Sequence, residues 1–226
     1  MSIKFEFKRM IALLLLAIFA WTLLLLRGNI LGTRAYTFME WNLFLALVPY
    51  GISCIMLLIG NFKKSKWRTF GLIALGILWF LFFPNAPYLF TSYMFFARIF
   101  EFEEGLMRFA LQPWYDFVLL TSFIWCGILA GLASLGIVHG IIEKHFGKIT
   151  GWVAVIIVNF LSSWAIYLGR FIRLNSWYVF TNPGVLLPYL WLCRERVLFI
   201  LLLGIFMMLV YIVVYFFIGH DVRKFK

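Results

Sequence analysis

The apolar residues of this chain fall into blocks about one bilayer long, with the polar residues gathered between them. A helical crossing of a membrane needs about 20 mainly apolar residues, within a usable range of roughly 17 to 25. Six such blocks can be traced: Met10 to Leu26, Trp41 to Ile59, Phe70 to Phe83, Trp114 to Val138, Ile149 to Leu168 and Val197 to Ile218. The third is clearly apolar only to Phe83 and continues irregularly toward residue 97. The pattern predicts an all-α fold: a polytopic transmembrane helix bundle of about six spans, forming a single integral membrane domain over residues 1–226. It also predicts a kinked or broken third helix and an interfacial or re-entrant segment before the last span. The first block follows Lys8 and Arg9 like a signal peptide, but no small-x-small cleavage site follows Leu26 closely. It is therefore read as a retained anchor.

Lysine and arginine orient the spans, because these residues are retained on the cytoplasmic side. With the chain starting inside, the inner segments hold twelve of them (Lys4, Lys8, Arg9; Lys63, Lys64, Lys66, Arg68; Lys144, Lys148; Arg223, Lys224, Lys226). The outer segments hold eight: Arg27, Arg34, Arg98, Arg108, Arg170, Arg173, Arg194 and Arg196. Every lysine is then inside and the outer set is all arginine. Both termini are expected in the cytoplasm.

Composition supports the membrane reading. The chain is 65% hydrophobic, 21% aromatic and only 13% charged, against about half apolar and a quarter charged in soluble domains. The formal charge of +11 would suit nucleic acid if it were gathered on one face. It is instead spread over short segments between apolar runs, so no nucleic-acid partner is expected. Cys54, Cys126 and Cys193 are odd in number and far apart. They imply neither a disulfide framework nor a metal site and are read as small buried hydrophobes.

Several polar residues stand out against this background. Pro84-Asn85-Ala86-Pro87-Tyr88 interrupts the third span at what the topology makes its outer end. Two prolines three apart remove donors and disfavour helix just before each, so the helix should stop or kink there. The freed carbonyls and the Asn85 amide then need partners from protein or cavity water. Pro49 should bend the second span near mid-membrane. Gly127, Gly131 and Ser134 form a small-residue stripe on the fourth span, expected to be a packing seam within the chain or between copies. On the fifth span, Asn159, Ser163, Tyr167 and Arg170 recur at three- and four-residue steps, with Arg173 close to the same face. Either this face lines a cavity, or Asn159 and Ser163 bond a neighbouring helix while the arginines reach the headgroups.

Asp116, two positions into the fourth span, is expected to pair with Arg170 or Arg173, since a boundary carboxylate is stabilised by an arginine fork. It also suits a helix N-terminus on dipole grounds alone. The segment from Asn175 to Trp191 carries Trp177, Tyr178, Phe180, Tyr189 and Trp191, which suit the headgroup layer. Pro183-Gly184 and Pro188 argue against one straight helix there. Glu101, Glu103 and Glu104 read as a solvated outer loop. Of the familiar enzymatic signatures, G-x-x-x-x-G-K-[ST], H-E-x-x-H, G-x-S-x-G and C-x-x-C are all missing. His139 and His145 fall by an inner loop and His220 in the tail, away from the outer polar residues, and are read as solvated. No cofactor and no metal are called for.

Phe83-Pro84-Asn85-Ala86-Pro87-Tyr88, Pro113-Trp114-Tyr115-Asp116 and Gly169-Arg170-Phe171-Ile172-Arg173-Leu174-Asn175-Ser176-Trp177 together resemble an uncharacterised bacterial multi-pass membrane family, domain of unknown function 1361. The resemblance runs from about residue 41 to 191. It implies that the three boxes act as one unit, and it supplies no activity. In that family an Asp often follows the Thr after the first box, and another follows Asn-Ser-Trp. Ser92 and Tyr178 stand there in this chain, which weakens any multi-acid catalytic or metal site.

The expected protein is a noncatalytic factor of the bacterial plasma membrane. Its outer-leaflet polar pocket, drawn from Asn85, Tyr88, Asp116, Arg170, Arg173, Asn175 and Trp177, would hold an anionic lipid headgroup or dock another envelope protein. Two alternatives stay open: a small transporter using broken helices, and an intramembrane enzyme using Asp116 as acid or base.

Overall fold

The computed structural model describes residues 3–63, 65–95, 111–172, 181–182, 184 and 194–222. Its elements are helical: α1 (Ile3–Leu31), α2 (Phe38–Gly60), α3 (Lys66–Phe82), a single turn α4 (Asn85–Tyr88) running into a 3-10 turn (Leu89–Ser92), α5 (Leu111–Phe146), α6 (Lys148–Tyr167) and α7 (Arg194–Val222). Among the described residues there is no strand. Six stretches of the described residues are long and apolar enough to cross a membrane.

Side-chain contacts fix the up-and-down order. At one end Arg27, late in α1, meets Asp116, early in α5. At the same end Arg170, just past α6, meets Thr91 beyond the break in the third span. At the opposite end Arg68 of α3 meets His145 of α5, and Tyr50 of α2 meets Glu6 of α1. These are called the Asp116 end and the His145 end below.

α5 is the axis of the bundle. Its 36 residues span about 54 Å, well beyond the roughly 30 Å hydrocarbon core, and helices pack on several sides of it. Leu119, Leu120, Phe123, Ile124, Cys126 and Ala130 are wholly buried. The small-residue stripe is the seam through which the broken third span docks. A β-carbon on Gly127 would collide with Leu89, and one on Gly131 would lie 2.9 Å from the Ala86 methyl. Ser134 continues the seam, accepting from Trp79 Nε1 at 2.6 Å and donating to the Pro49 carbonyl at 3.0 Å. The stripe thus works inside one chain, tying α2, α3 and α4 to α5.

α2 stays helical through Pro49, which is buried and whose carbonyl accepts from Ser134 of α5. One local expectation changes. The third span does break at Phe83-Pro84, but well inside the bundle. Ala86 sits at the level of Gly131, about 22 Å along α5 from Asp116 at 1.5 Å per residue. Helical backbone then resumes and continues to residue 95, with Ala86, Leu89, Thr91 and Ser92 buried. The segment is therefore neither a loop at the surface nor a hairpin. The Pro ring supplies no N–H, but Tyr88 N donates to Pro84 O and Ala86 N to Phe83 O, so most of the turn's donors are used across the break. Asn85 Nδ2 adds a bond to the Phe82 carbonyl at 2.9 Å, satisfying an orphan acceptor at the helix end.

His139 also departs from the solvated reading, being only 1% exposed. Its Nδ1 lies 2.7 Å from the Tyr211 hydroxyl, with the Trp152 and Tyr215 rings packed around it. α6 and α7 close the bundle. Gly204 lets the Phe160 ring against the α7 backbone, since a β-carbon there would lie 2.7 Å from it.

Candidate functional site

The Asp116 end is built around a buried ion pair. Arg27 donates from Nε to Asp116 Oδ1 at 2.7 Å and from Nη2 to Oδ2 at 2.9 Å. Its Nη1 donates to the Thr33 carbonyl at 2.7 Å and to the Thr33 hydroxyl at 2.8 Å. The Asp116 carboxylate is 0% exposed and Arg27 is 2% exposed. This is the two-pronged geometry that a guanidinium gives a carboxylate. The α1–α2 loop is folded down onto the pair. Tyr36, at φ 66, brings its ring to 5.2 Å from the Arg27 guanidinium carbon. Burial, and then the neighbouring Asp116 charge, push the Tyr36 phenol up to about 12, so it faces the carboxylate as a neutral group. Tyr115 completes the junction by donating to the Leu23 carbonyl at 2.6 Å.

The expected partner of Asp116 is thus replaced. Both carboxylate oxygens go to Arg27, and Arg170 turns elsewhere. Sequence gave little sign of this. An arginine just after an apolar run ordinarily extends to the headgroups, and 89 residues separate Arg27 from Asp116.

Arg170 forms a second, separate centre. It lies in a short π-helical turn, Leu168–Ile172, that widens the end of α6. Such turns re-aim side chains and are frequent at functional sites. Arg170 Nη2 donates to the Thr91 carbonyl at 2.9 Å. The guanidinium carbon lies 4.5 Å from the Phe95 ring centroid and 5.9 Å from that of Tyr88. Thr91 Oγ1 in turn bonds the Tyr88 carbonyl at 2.7 Å. Arginine carries five N–H donors, and among the described residues Arg170 makes this one hydrogen bond. It is only partly buried.

Phe90 and Tyr93, on either side of the Thr91–Ser92 pair, enter the wall of an apolar cavity of about 100 Å³. Its walls come from the broken third span (Phe83, Pro87, Phe90, Tyr93), α5 (Trp125, Ile128, Leu132), α6 (Asn159) and α7 (Leu203, Phe206, Met207, Val210). Phe90 and Phe206 touch at 5.0 Å between ring centroids. Asn159 is a polar side chain of the lining, and its Nδ2 donates to Val155 O at 2.8 Å. Ser163 likewise bonds back to Asn159 O at 2.9 Å, with Met207 Sδ at 3.8 Å. The polar stripe of the fifth span therefore faces α7 and, through Asn159, the cavity wall. Tyr167 packs its ring on Phe171 and Phe199.

Of the sequence-predicted site residues, Tyr88 and Arg170 come together. Asp116 belongs to the Arg27 centre. Asn85 sits at the deep break and binds its own helix end. Arg173, Asn175 and Trp177 lie outside the described residues, as do the Glu101 patch, Cys193 and most of the segment from Asn175 to Trp191. Reasoning from sequence missed Arg27, Thr33, Tyr36 and Thr91, and also the aromatic walls of the cavity. Cys126 is buried as expected and Cys54 partly so.

Among the described residues, six helical stretches long and apolar enough to cross a membrane, one of them the buried axis α5, make this a multi-pass membrane protein. More closely, the chain belongs to the family described as "Protein of unknown function (DUF1361)", whose profile matches residues 41–212. The match begins after α1, so the Arg27 half of the ion pair lies outside it and the Asp116 half inside. No curated protein and no solved structure matches the chain.

Proposed function

We propose that this protein is a noncatalytic factor of the bacterial plasma membrane that holds an anionic lipid headgroup at Arg170. The observation that carries this reading is Arg170 itself: a guanidinium held in place by Thr91 O and two aromatic rings, with one hydrogen bond among the described residues, next to an apolar cavity whose wall includes Phe90, the neighbour of Thr91. Guanidinium is weakly hydrated and its planar fork matches phosphate oxygens, so it suits a headgroup at a membrane boundary. Arg173, three residues on, would add a second cation. The enzyme alternative loses its candidate, because Asp116 is fully buried and held by Arg27.

Mass spectrometry of lipids copurified with the parent chain and with Arg170→Ala tests the reading. The parent should retain an anionic lipid that the variant loses by about tenfold, the effect of roughly 1.4 kcal/mol, while Arg170→Lys keeps part of it. Equal profiles would refute it, and substrate uptake into proteoliposomes would favour transport instead.

The lysine bias supports an orientation with both termini in the cytoplasm and the Arg170 end outside. In a chain stripped of its own cysteines, an impermeant thiol reagent added to intact cells should label Arg34→Cys and spare Asn61→Cys. The reverse pattern would invert the topology.

A further inference from the structure

The apolar cavity raises a separate question, namely what fills it. Its lining is almost wholly apolar and includes Trp125 of α5 and Phe206 of α7, which are 48% and 43% exposed. In a chain that crosses a membrane, side chains exposed at that depth face hydrocarbon. Water is a weak occupant, since an ordered buried water needs two to four polar partners and the polar side chains of the lining are Asn159 and Tyr93. Asn159 Nδ2 already donates to Val155 O, and the Tyr93 hydroxyl to Thr121 Oγ1 at 3.5 Å. An empty space of this size would forfeit the dispersion contacts of its lining.

We infer that the cavity seats one acyl chain of the lipid whose headgroup lies at Arg170. This rests on the headgroup reading above, because Arg170 decides where the headgroup sits. Asn159 and Arg170 are eleven residues apart, about 16 Å along the helix axis, so the chain would run down from the headgroup and place a short stretch of methylenes in the cavity, which is smaller than the roughly 150 Å³ space that holds a benzene. The walls suit a flexible occupant too. Met207 is an adaptable thioether, and Phe90 and Phe206 form an aromatic bridge across the slot. Phe83 and Pro87, four residues apart and so on one face of the third span, both line the wall.

Trp125 provides an intrinsic probe. The purified full chain, in excess detergent, would be titrated with about one equivalent of phosphatidylglycerol or phosphatidylcholine brominated in the acyl chain, and tryptophan fluorescence read. The inference expects a loss of fluorescence with the phosphatidylglycerol that is missing from Trp125→Phe, and at least tenfold weaker titration in Arg170→Ala. Val210→Phe, which fills the slot, should remove the Trp125 share of the loss. Should that variant fail to fold, the difference between parent and Trp125→Phe decides alone. Selective retention of phosphatidylglycerol with no Trp125-dependent loss would overturn the acyl-chain inference and leave the headgroup reading standing. Equal Trp125-dependent losses with both lipids would support chain seating and overturn the headgroup reading.

Discussion

Arg27 and Asp116 are taken out of water as a pair, and the bundle depends on their staying one. A buried pair that keeps its geometry and extra hydrogen bonds is close to neutral against an apolar replacement, whereas deleting one partner strands a charge at a cost of about 3–5 kcal/mol. Here the extra bonds come from Thr33, so the pair also fastens the α1–α2 loop. Arg27→Met and Asp116→Leu should each lower unfolding stability in detergent by about that amount. The double variant should recover more than half of the loss, and additive losses would mean that the two residues act separately. Asp116 stood out because an acid beside an apolar block is unexpected, and its need for an arginine followed from charge alone. Which arginine answered it depended on α1 packing along α5, a tertiary fact that no local pattern carries.

Among the elements, the broken third span is the one whose placement decides the rest. Two prolines made the break legible in sequence, and the Gly127, Gly131 and Ser134 stripe was legible as a seam. That the two features meet was not, because spacing along one helix says nothing of which neighbour fills it. Leu89 and Ala86 sit directly on the two glycines, so there the backbone of the short helix approaches α5 as closely as side chains allow. Gly127→Ala should therefore destabilise by about 1–3 kcal/mol through overpacking. Gly136→Ala, where a methyl meets nothing within 4 Å, serves as the control and should be neutral or slightly stabilising. If both variants unfold at the same temperature in a detergent melt, the seam is not a close contact.

At the scale of the whole molecule, two centres share one end of a six-span bundle and do different work. The Arg27–Asp116 centre is closed, saturated and structural. The Arg170 centre is only partly buried, has one hydrogen bond among the described residues, and is where the proposed lipid headgroup would sit. Composition and block length made the bundle readable from sequence, because a bilayer leaves few ways to satisfy the backbone. The slot was hidden because it is assembled from four separate segments, each reading as ordinary apolar helix. The most direct test of the account is native mass spectrometry of the intact protein offered equimolar phosphatidylglycerol and phosphatidylcholine. The account predicts one retained phosphatidylglycerol per chain, with the preference abolished in Arg170→Ala and kept in Arg27→Met/Asp116→Leu. Retention of both lipids alike by the parent chain, or a preference untouched by Arg170→Ala, would contradict it.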